Sequence, residues 1–401
     1  MTVEIKKGSA GGQIMAPASK SMAHRSLICG ALSKKSTING LDFSEDIKAT
    51  IGCLKTLGAN VEINRNSVTI GGLLDSNKKV TEPLFCGESG STLRFLLPLC
   101  LLRGEPIVLT GTKRLFERSL SVYEDIAKAQ NIKFIKKPDA VMVCGVLKSG
   151  LYEVRGDISS QFISGLIFAL STLQDDSIIK IEGKFESASY VALTLKALGD
   201  FGVRVTRIDA KSFKVHSGQS YFSQNLTVEG DYSNAAFFEA LNLFGGNVLV
   251  KGLDPNSIQG DRVYKEYFKA IENKNSIIDL TDCPDLGPIL FAVAAAKGGA
   301  VFTGTERLKI KESDRVAAMA EELSKFGVSV TAEENRVEIG KATLKKPSTF
   351  LDGHNDHRIV MALSVLCTLT GGKIMGAEAV AKSLPEFFSM LSLLGIEVKE
   401  I

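Results

Sequence analysis

Ile107-Val108-Leu109-Thr110-Gly111 is a short β-branched run that stops at a glycine, and the pattern comes six times, at Gly40, Gly111, Gly183, Gly252, Gly304 and Gly376. The gaps between these glycines are 71, 72, 69, 52 and 72 residues. A near-constant spacing of this kind marks a repeat architecture. After the glycine comes an amphipathic stretch such as Ile47 to Leu57 or Val316 to Leu323, followed by a glycine and a polar-alternating segment such as Gly58-Ala59-Asn60-Val61-Glu62-Ile63. The period changes there from about 3.6 to 2, so the spacing predicts helix, turn and hairpin.

Ahead of each glycine lies a helix of another kind, over about Ser26 to Leu32, Thr92 to Leu102, Phe162 to Leu173, Ala235 to Leu243, Ile289 to Ala296 and Ile359 to Leu369. These have almost no polar face and belong inside a protein, whereas the helices after the glycine carry a Lys and Glu stripe for solvent. Each repeat therefore supplies one buried and one half-exposed helix. Six units of about 70 residues with no Pro-rich linker divide most simply as three plus three.

The 401 residues carry 48 Lys and Arg against 45 Asp and Glu, a balance that gives no reason to expect nucleic acid or an anionic membrane as partner. The longest apolar run, Leu286 to Ala296, is too short to cross a bilayer. Met1 to Gly12 lacks the apolar core of a secretion signal, and the seven cysteines include no Cys-x-x-Cys pair, so a reducing cytoplasm is the expected setting. Cys29, Cys53, Cys86, Cys100 and Cys367 stand in or beside apolar stretches and read as small core residues.

Basic and capping residues gather at repeated places. Just before the buried helices stand Ser19-Lys20-Ser21, Gly87-Glu88-Ser89-Gly90-Ser91, Ser159-Ser160-Gln161, Ser233-Asn234, Pro284-Asp285 and Asn355-Asp356-His357-Arg358. Ser, Asn and Asp there cap free backbone N–H groups, and such helix ends also receive phosphate or carboxylate. Capping alone would explain any one of them. Cations at the same tips, Lys20, Arg25, Arg114, Arg118, Lys309, Lys311, Arg315, Arg358 and Lys382, point instead to ligands with several negative charges. Ser19-Lys20-Ser21 lacks the glycines of a nucleoside-triphosphate loop, and no Gly-x-Gly-x-x-Gly joins a strand to a helix. His354-Asn355-Asp356-His357 hints at a metal, but four histidines in all and no second cluster leave no metal expected.

Pro17-Ala18-Ser19-Lys20-Ser21-Met22-Ala23-His24-Arg25, Gly87-Glu88-Ser89-Gly90-Ser91-Thr92-Leu93-Arg94, Ser159-Ser160-Gln161-Phe162, Lys311-Glu312-Ser313-Asp314-Arg315, Asn355-Asp356-His357-Arg358 and Ala381-Lys382-Ser383-Leu384-Pro385 occur in this order. Together these blocks resemble the EPSP synthase family of enolpyruvyl transferases, along the whole chain. The resemblance implies an α/β fold, a two-domain inside-out α/β barrel of three βαβαββ repeats per domain, with buried helices and outer sheets. It implies an N-terminal domain over 19–228, mainly the shikimate 3-phosphate side. The C-terminal domain would take 1–18 plus 229–401 and the phosphoenolpyruvate side, with helix starts of both halves on one cleft.

The implied reaction moves the enolpyruvyl group of phosphoenolpyruvate to the 5-hydroxyl of shikimate 3-phosphate through a tetrahedral intermediate, releasing phosphate, with no cofactor. By the same resemblance Lys20, Gly90, Arg118, Gln161, Arg315, Arg358 and Lys382 hold phosphoenolpyruvate. Shikimate 3-phosphate falls to Lys20, Ser21, Arg25, Ser159, Ser160, Gln161, Ser187, Asp285 and Lys311. Asp285 is the implied base, Glu312 the implied proton carrier, and Lys20 shares that work. A larger residue at Gly90 is expected to crowd glyphosate. Ala18, Glu88 and Arg307 depart from the family pattern, and Arg307 is left out of the site for that reason. A monomer without nucleic-acid or membrane partners is expected. The alternative is transfer to UDP-N-acetylglucosamine, whose enzymes share the fold but are expected to use a mobile-loop cysteine and a Lys-Asn start. Here the chain has Lys20-Ser21 and no Cys from Gly111 to Val143.

Overall fold

The six apolar helices occupy Lys20–Leu32, Gly90–Cys100, Ser160–Leu170, Tyr232–Leu243, Gly287–Ala296 and His357–Thr370 in a computed structural model that describes residues 1–273 and 276–401. In Gly287–Ala296 every residue but the last is buried, as its lack of polar side chains requires. The outer helices bury one stripe only, Ile47, Ile51 and Leu54 in Glu45–Leu57 and Val316, Met319 and Leu323 in Arg315–Lys325. Cys29, Cys53, Cys86, Cys100 and Cys367 are buried, as their apolar settings predict, and so is Cys283. No helix among the described residues is long and apolar enough to cross a membrane.

Five of the six repeat glycines, Gly40, Gly183, Gly252, Gly304 and Gly376, have φ between 67° and 81°, a left-handed conformation in which a side chain would clash with its own backbone. Gly111 is required for another reason: a Cβ there would lie 2.5 Å from the carbonyl oxygen of Gly87. In both cases the glycine lets the strand end turn sharply toward the outer helix.

The chain forms two compact units, Lys20–Val228 and Met1–Ser19 with Glu229–Ile401. In the first, three four-stranded sheets share one topology. The last of them runs Leu151–Arg155, Ser177–Glu182, Ser212–Val215, Val205–Arg207, with the first pair parallel and the others antiparallel. The parallel pair flanks the buried helix, because a parallel connection needs a crossover, and the antiparallel pair is the hairpin. In the sheet of Ser36–Asn39 the parallel partner is Asn225–Thr227, from the far end of the unit.

The second unit departs from uniform βαβαββ repeats in one place. Gly11–Met15 pairs only with Asn247–Lys251, in a two-stranded sheet, and after the helix Tyr264–Glu272 the chain's next described strand is Ile277–Asp279 of another sheet. Among the described residues no hairpin follows that helix, which matches the short gap of 52 residues between Gly252 and Gly304. The sheet of Gly372–Met375 is completed from the other end of the chain, since Thr2–Ile5 lies between it and Val398–Glu400, antiparallel to both. Phe291 and Phe302, ring centroids 4.8 Å apart, lie in the core of this unit; Phe95 and Phe168, 5.6 Å apart, lie in that of Lys20–Val228.

Candidate active site

In Lys20–Val228, Lys20, Ser21, Gly90, Ser159, Ser160 and Gln161 stand at the starts of buried helices, whereas Arg25 lies within one, Arg118 follows the short helix Lys113–Glu117 and Ser187 precedes the outer helix Ala188–Asp200. Lys20 opens its helix and its Nζ lies 2.8 Å from Asp46 Oδ2. Ser89 accepts from Thr92 N at 3.1 Å and Ser159 from Gln161 N at 3.3 Å, the caps their positions predict. Gly90 follows the first cap directly. A Cβ on it would come within 3.0 Å of the Arg118 guanidinium, so the glycine allows the arginine to lie flat across the helix start. Arg118 Nε is buried with no hydrogen-bond partner among the described residues.

Gln161 is held by its neighbours: its Oε1 accepts from Arg94 Nη1 at 2.7 Å and its Nε2 donates to Ser91 Oγ at 3.0 Å. Arg94 also donates to the Ser119 carbonyl and lies over the Phe162 ring. Arg25 is more a brace than a loose cation. Its Nε donates to Thr194 Oγ1, and its two terminal nitrogens to the carbonyls of Ser21 and Tyr190, all within 2.8 Å. Burial lowers its pKa to about 10, so it stays charged at neutral pH. Ser187 is buried with φ 55°, a conformation that costs a non-glycine residue about 1–3 kcal/mol and that concentrates at functional sites. Buried His24, between Lys20 and Arg25 in sequence, is kept neutral by burial first and then by those two cations.

The other unit holds the denser charge cluster, built from the helix starts at Gly287, Arg315 and His357. Arg315 is fully buried. Its Nη1 lies 2.9 Å from Asp285 Oδ1, its Nη2 2.7 Å from Glu312 Oε2, and its Nε 2.8 Å from Asp356 Oδ2. Asp285 also meets Lys311 at 3.3 Å and Arg358 Nη2 at 3.2 Å. Burial alone would raise the Asp285 pKa, but Arg358, Lys311 and Arg315 outweigh it and hold the carboxyl well below the usual carboxylate range. Lys311 shifts the other way. Burial lowers its ammonium to about 8, Asp285 opposing and the nearby Arg307 and Arg315 assisting. Lys382 Nζ donates to the Asn355 carbonyl at 2.5 Å, and Arg358 Nη1 to Ser233 Oγ at 2.7 Å.

Several members of these clusters escape the sequence reading. Asp46 and Arg94 stand inside helices, with nothing local to separate them from ordinary surface charges. Asp356 reads as a cap, which it is, since Arg358 N donates to it at 2.9 Å, but the same carboxylate is the buried counter-ion of Arg315. Arg307, set aside at first, is buried and its charge bears on Lys311. Asp261 is pushed up to about 7 by burial and then by the negative charge of Asp285, so near neutrality a carboxyl close to the cluster is partly protonated.

Comparison with known proteins decides the family. The model of the family described as EPSP synthase (3-phosphoshikimate 1-carboxyvinyltransferase) matches residues 6–391. The chain belongs to the EPSP synthase family. It is 41% identical over 422 aligned positions to a 3-phosphoshikimate 1-carboxyvinyltransferase of Clostridium kluyveri, covering 99% of this chain and 98% of the relative. A protein of the same description from Clostridioides difficile is 35% identical, with 100% of this chain and 98% of the relative covered. Among solved structures, an EPSP synthase from Acinetobacter baumannii superposes with a TM-score of 0.79 at 24% identity, each chain covered in full. The enolpyruvyl transferase NikO from Streptomyces tendae reaches 0.79 at 12% identity, over 99% of this chain and 98% of that one. Both structural likenesses speak for the shared α/β fold.

Proposed function

We propose that this protein transfers the enolpyruvyl group of phosphoenolpyruvate to the 5-hydroxyl of shikimate 3-phosphate, giving 5-enolpyruvylshikimate 3-phosphate and phosphate. One observation carries the reading: within a chain of this family, Asp285 is ringed by Arg315, Lys311 and Arg358, a carboxylate set among cations that anionic substrates would engage. Phosphoenolpyruvate is assigned to Lys20, Gly90, Arg118 and Gln161 of Lys20–Val228 and to Arg315, Arg358 and Lys382 of the other unit. Shikimate 3-phosphate is assigned to Lys20, Ser21, Arg25, Ser159, Ser160, Gln161 and Ser187, with Asp285 and Lys311. The domain over 19–228 is assigned mainly to shikimate 3-phosphate and the domain over 1–18 plus 229–401 to the phosphoenolpyruvate side.

The chemistry follows from charge. A proton is added at the methylene carbon of phosphoenolpyruvate while the 5-hydroxyl attacks the adjacent carbon and gives up its proton. The tetrahedral intermediate then loses phosphate, and the new methyl group returns a proton. Asp285 takes the hydroxyl proton. It is a weak base while three cations hold it, but substrate phosphate and carboxylate groups neutralise those cations, which raises its proton affinity when it is needed. Glu312, 2.7 Å from Arg315, serves the methylene carbon, and Lys20 shares that work. The cations stabilise charge as it develops on the departing phosphate.

The reaction is placed in the cytoplasm, carried out by a single chain. Phosphate release from phosphoenolpyruvate, assayed with shikimate 3-phosphate and in parallel with UDP-N-acetylglucosamine, tests the proposal. Turnover with shikimate 3-phosphate is expected; release with the sugar nucleotide alone would overturn it.

A further inference from the structure

Behind the Arg315 cluster, seven residues further along the same helix, lies a further carboxylate with no contact among the described residues to the assigned ligand-holding side chains. Glu322 is fully buried, and Lys325 Nζ bonds both of its oxygens, at 2.7 and 2.9 Å. Asp352 N donates to its Oε2 at 3.0 Å, and His354 Nε2 lies 3.1 Å from its Oε1. Glu321, Glu322 and His354 place ligand atoms within 4.8 Å of one another, as a metal would need, but the Lys325 ammonium already meets the central carboxylate. The arrangement is a brace rather than a metal centre.

What it braces is a strained turn. His354 and Asn355 have φ of 48° and 50°, two successive non-glycine residues in the left-handed region, which persist only where surrounding structure holds them. The turn leads straight into the site: the Asn355 carbonyl receives Lys382, and Asp356 binds Arg315 and caps the helix that carries Arg358. We infer that Glu322 is a positioning residue, which clamps the His354–Asn355 turn through Asp352 N and His354 and so sets Lys382, Arg315 and Arg358 for phosphoenolpyruvate. The inference rests on the assignment of those three cations to that substrate.

Steady-state phosphate release by Glu322→Gln, His354→Asn, Lys382→Met and the Glu322→Gln/Lys382→Met double variant tests it, with each substrate titrated against saturating amounts of the other. Asn tolerates φ above zero but is too short to reach Glu322, so His354→Asn cuts one strut on a part-exposed side chain and keeps the test usable if Glu322→Gln does not fold. Glu322→Gln is expected to raise KM for phosphoenolpyruvate about ten-fold and His354→Asn about three-fold, with KM for shikimate 3-phosphate within about two-fold of wild type. In the Lys382→Met background the Glu322→Gln effect shrinks, because the two act through one turn. Loss of active protein with both KM values unchanged, or equal rises in both, would reduce Glu322 to a structural residue and overturn the inference. If Lys382→Met leaves KM for phosphoenolpyruvate unchanged, the substrate assignment fails instead, and the inference with it.

Discussion

Arg358 and Lys20 donate charge-assisted hydrogen bonds to carboxylates, and loss of such a contact removes about 1.5–3 kcal/mol, or one to two powers of ten in binding or rate. Arg358→Ala and Lys20→Ala are therefore expected to lower kcat/KM by roughly that factor while circular dichroism stays native; wild-type turnover would take the residue out of the site. Lys311 gives a pH signature. With its ammonium lowered to about 8, it is charged below that pH and neutral above, so KM for shikimate 3-phosphate is expected to be flat up to pH 7 and to climb beyond 8. Stability moves the other way: between about 8 and the ordinary 10.5 the unfolded chain holds a proton the folded one has released, so this group's contribution rises with pH. Lys311→Arg is expected to remove the alkaline climb, seen in a KM profile from pH 6 to 9.5. The cations at the helix tips were legible because they recur. Asp46, Arg94 and Glu322 were not, since their importance comes from partners distant in sequence: Lys20 and Asp46 are 26 positions apart and Arg94 and Gln161 67.

Among elements, the helix Arg315–Lys325 does two jobs that substitution can separate. Its cap, Asp314, is exposed and accepts from Val316 N and Ala317 N at 3.1 and 3.0 Å. Asp314→Ala is expected to cost about 1 kcal/mol of stability, read as a lower urea midpoint, and to leave KM for both substrates unchanged. The buried and amphipathic helices could be read from periodicity alone, because an almost wholly apolar helix has one place to go. The hairpins were legible too, but not the pairing of their sheets. Nothing in Thr2–Ile5 says that its partners lie at 372–375 and 398–400, since register over such a distance is fixed by the assembled core rather than by local preference. The interval of 52 residues stands in the sequence, but only beside the structure does it match a repeat with no hairpin among its described residues.

For the whole molecule, the two units differ in how the chain builds them. Lys20–Val228 is one continuous run, and Asn225–Thr227, at its very end, supplies the outer strand of the sheet that begins near its start. A fragment 20–228 is expected to unfold as one cooperative transition in urea, and a fragment ending at 222 to be markedly less stable because Ser36–Asn39 loses a partner. Non-cooperative melting of the longer fragment would show that the unit does not stand alone. The companion unit cannot be cut out as one run, since Gly11–Met15 pairs with Asn247–Lys251 and Thr2–Ile5 with Gly372–Met375. That threading has a consequence for synthesis. At about 5–20 residues per second, the ribosome needs on the order of twenty seconds or more to reach residue 375 after making residue 5, and the middle of the chain is complete well before then. During that interval Thr2–Ile5 travels as uncovered strand edge, open to chaperones and to wrong neighbours, so this strand finds its place long after it is made.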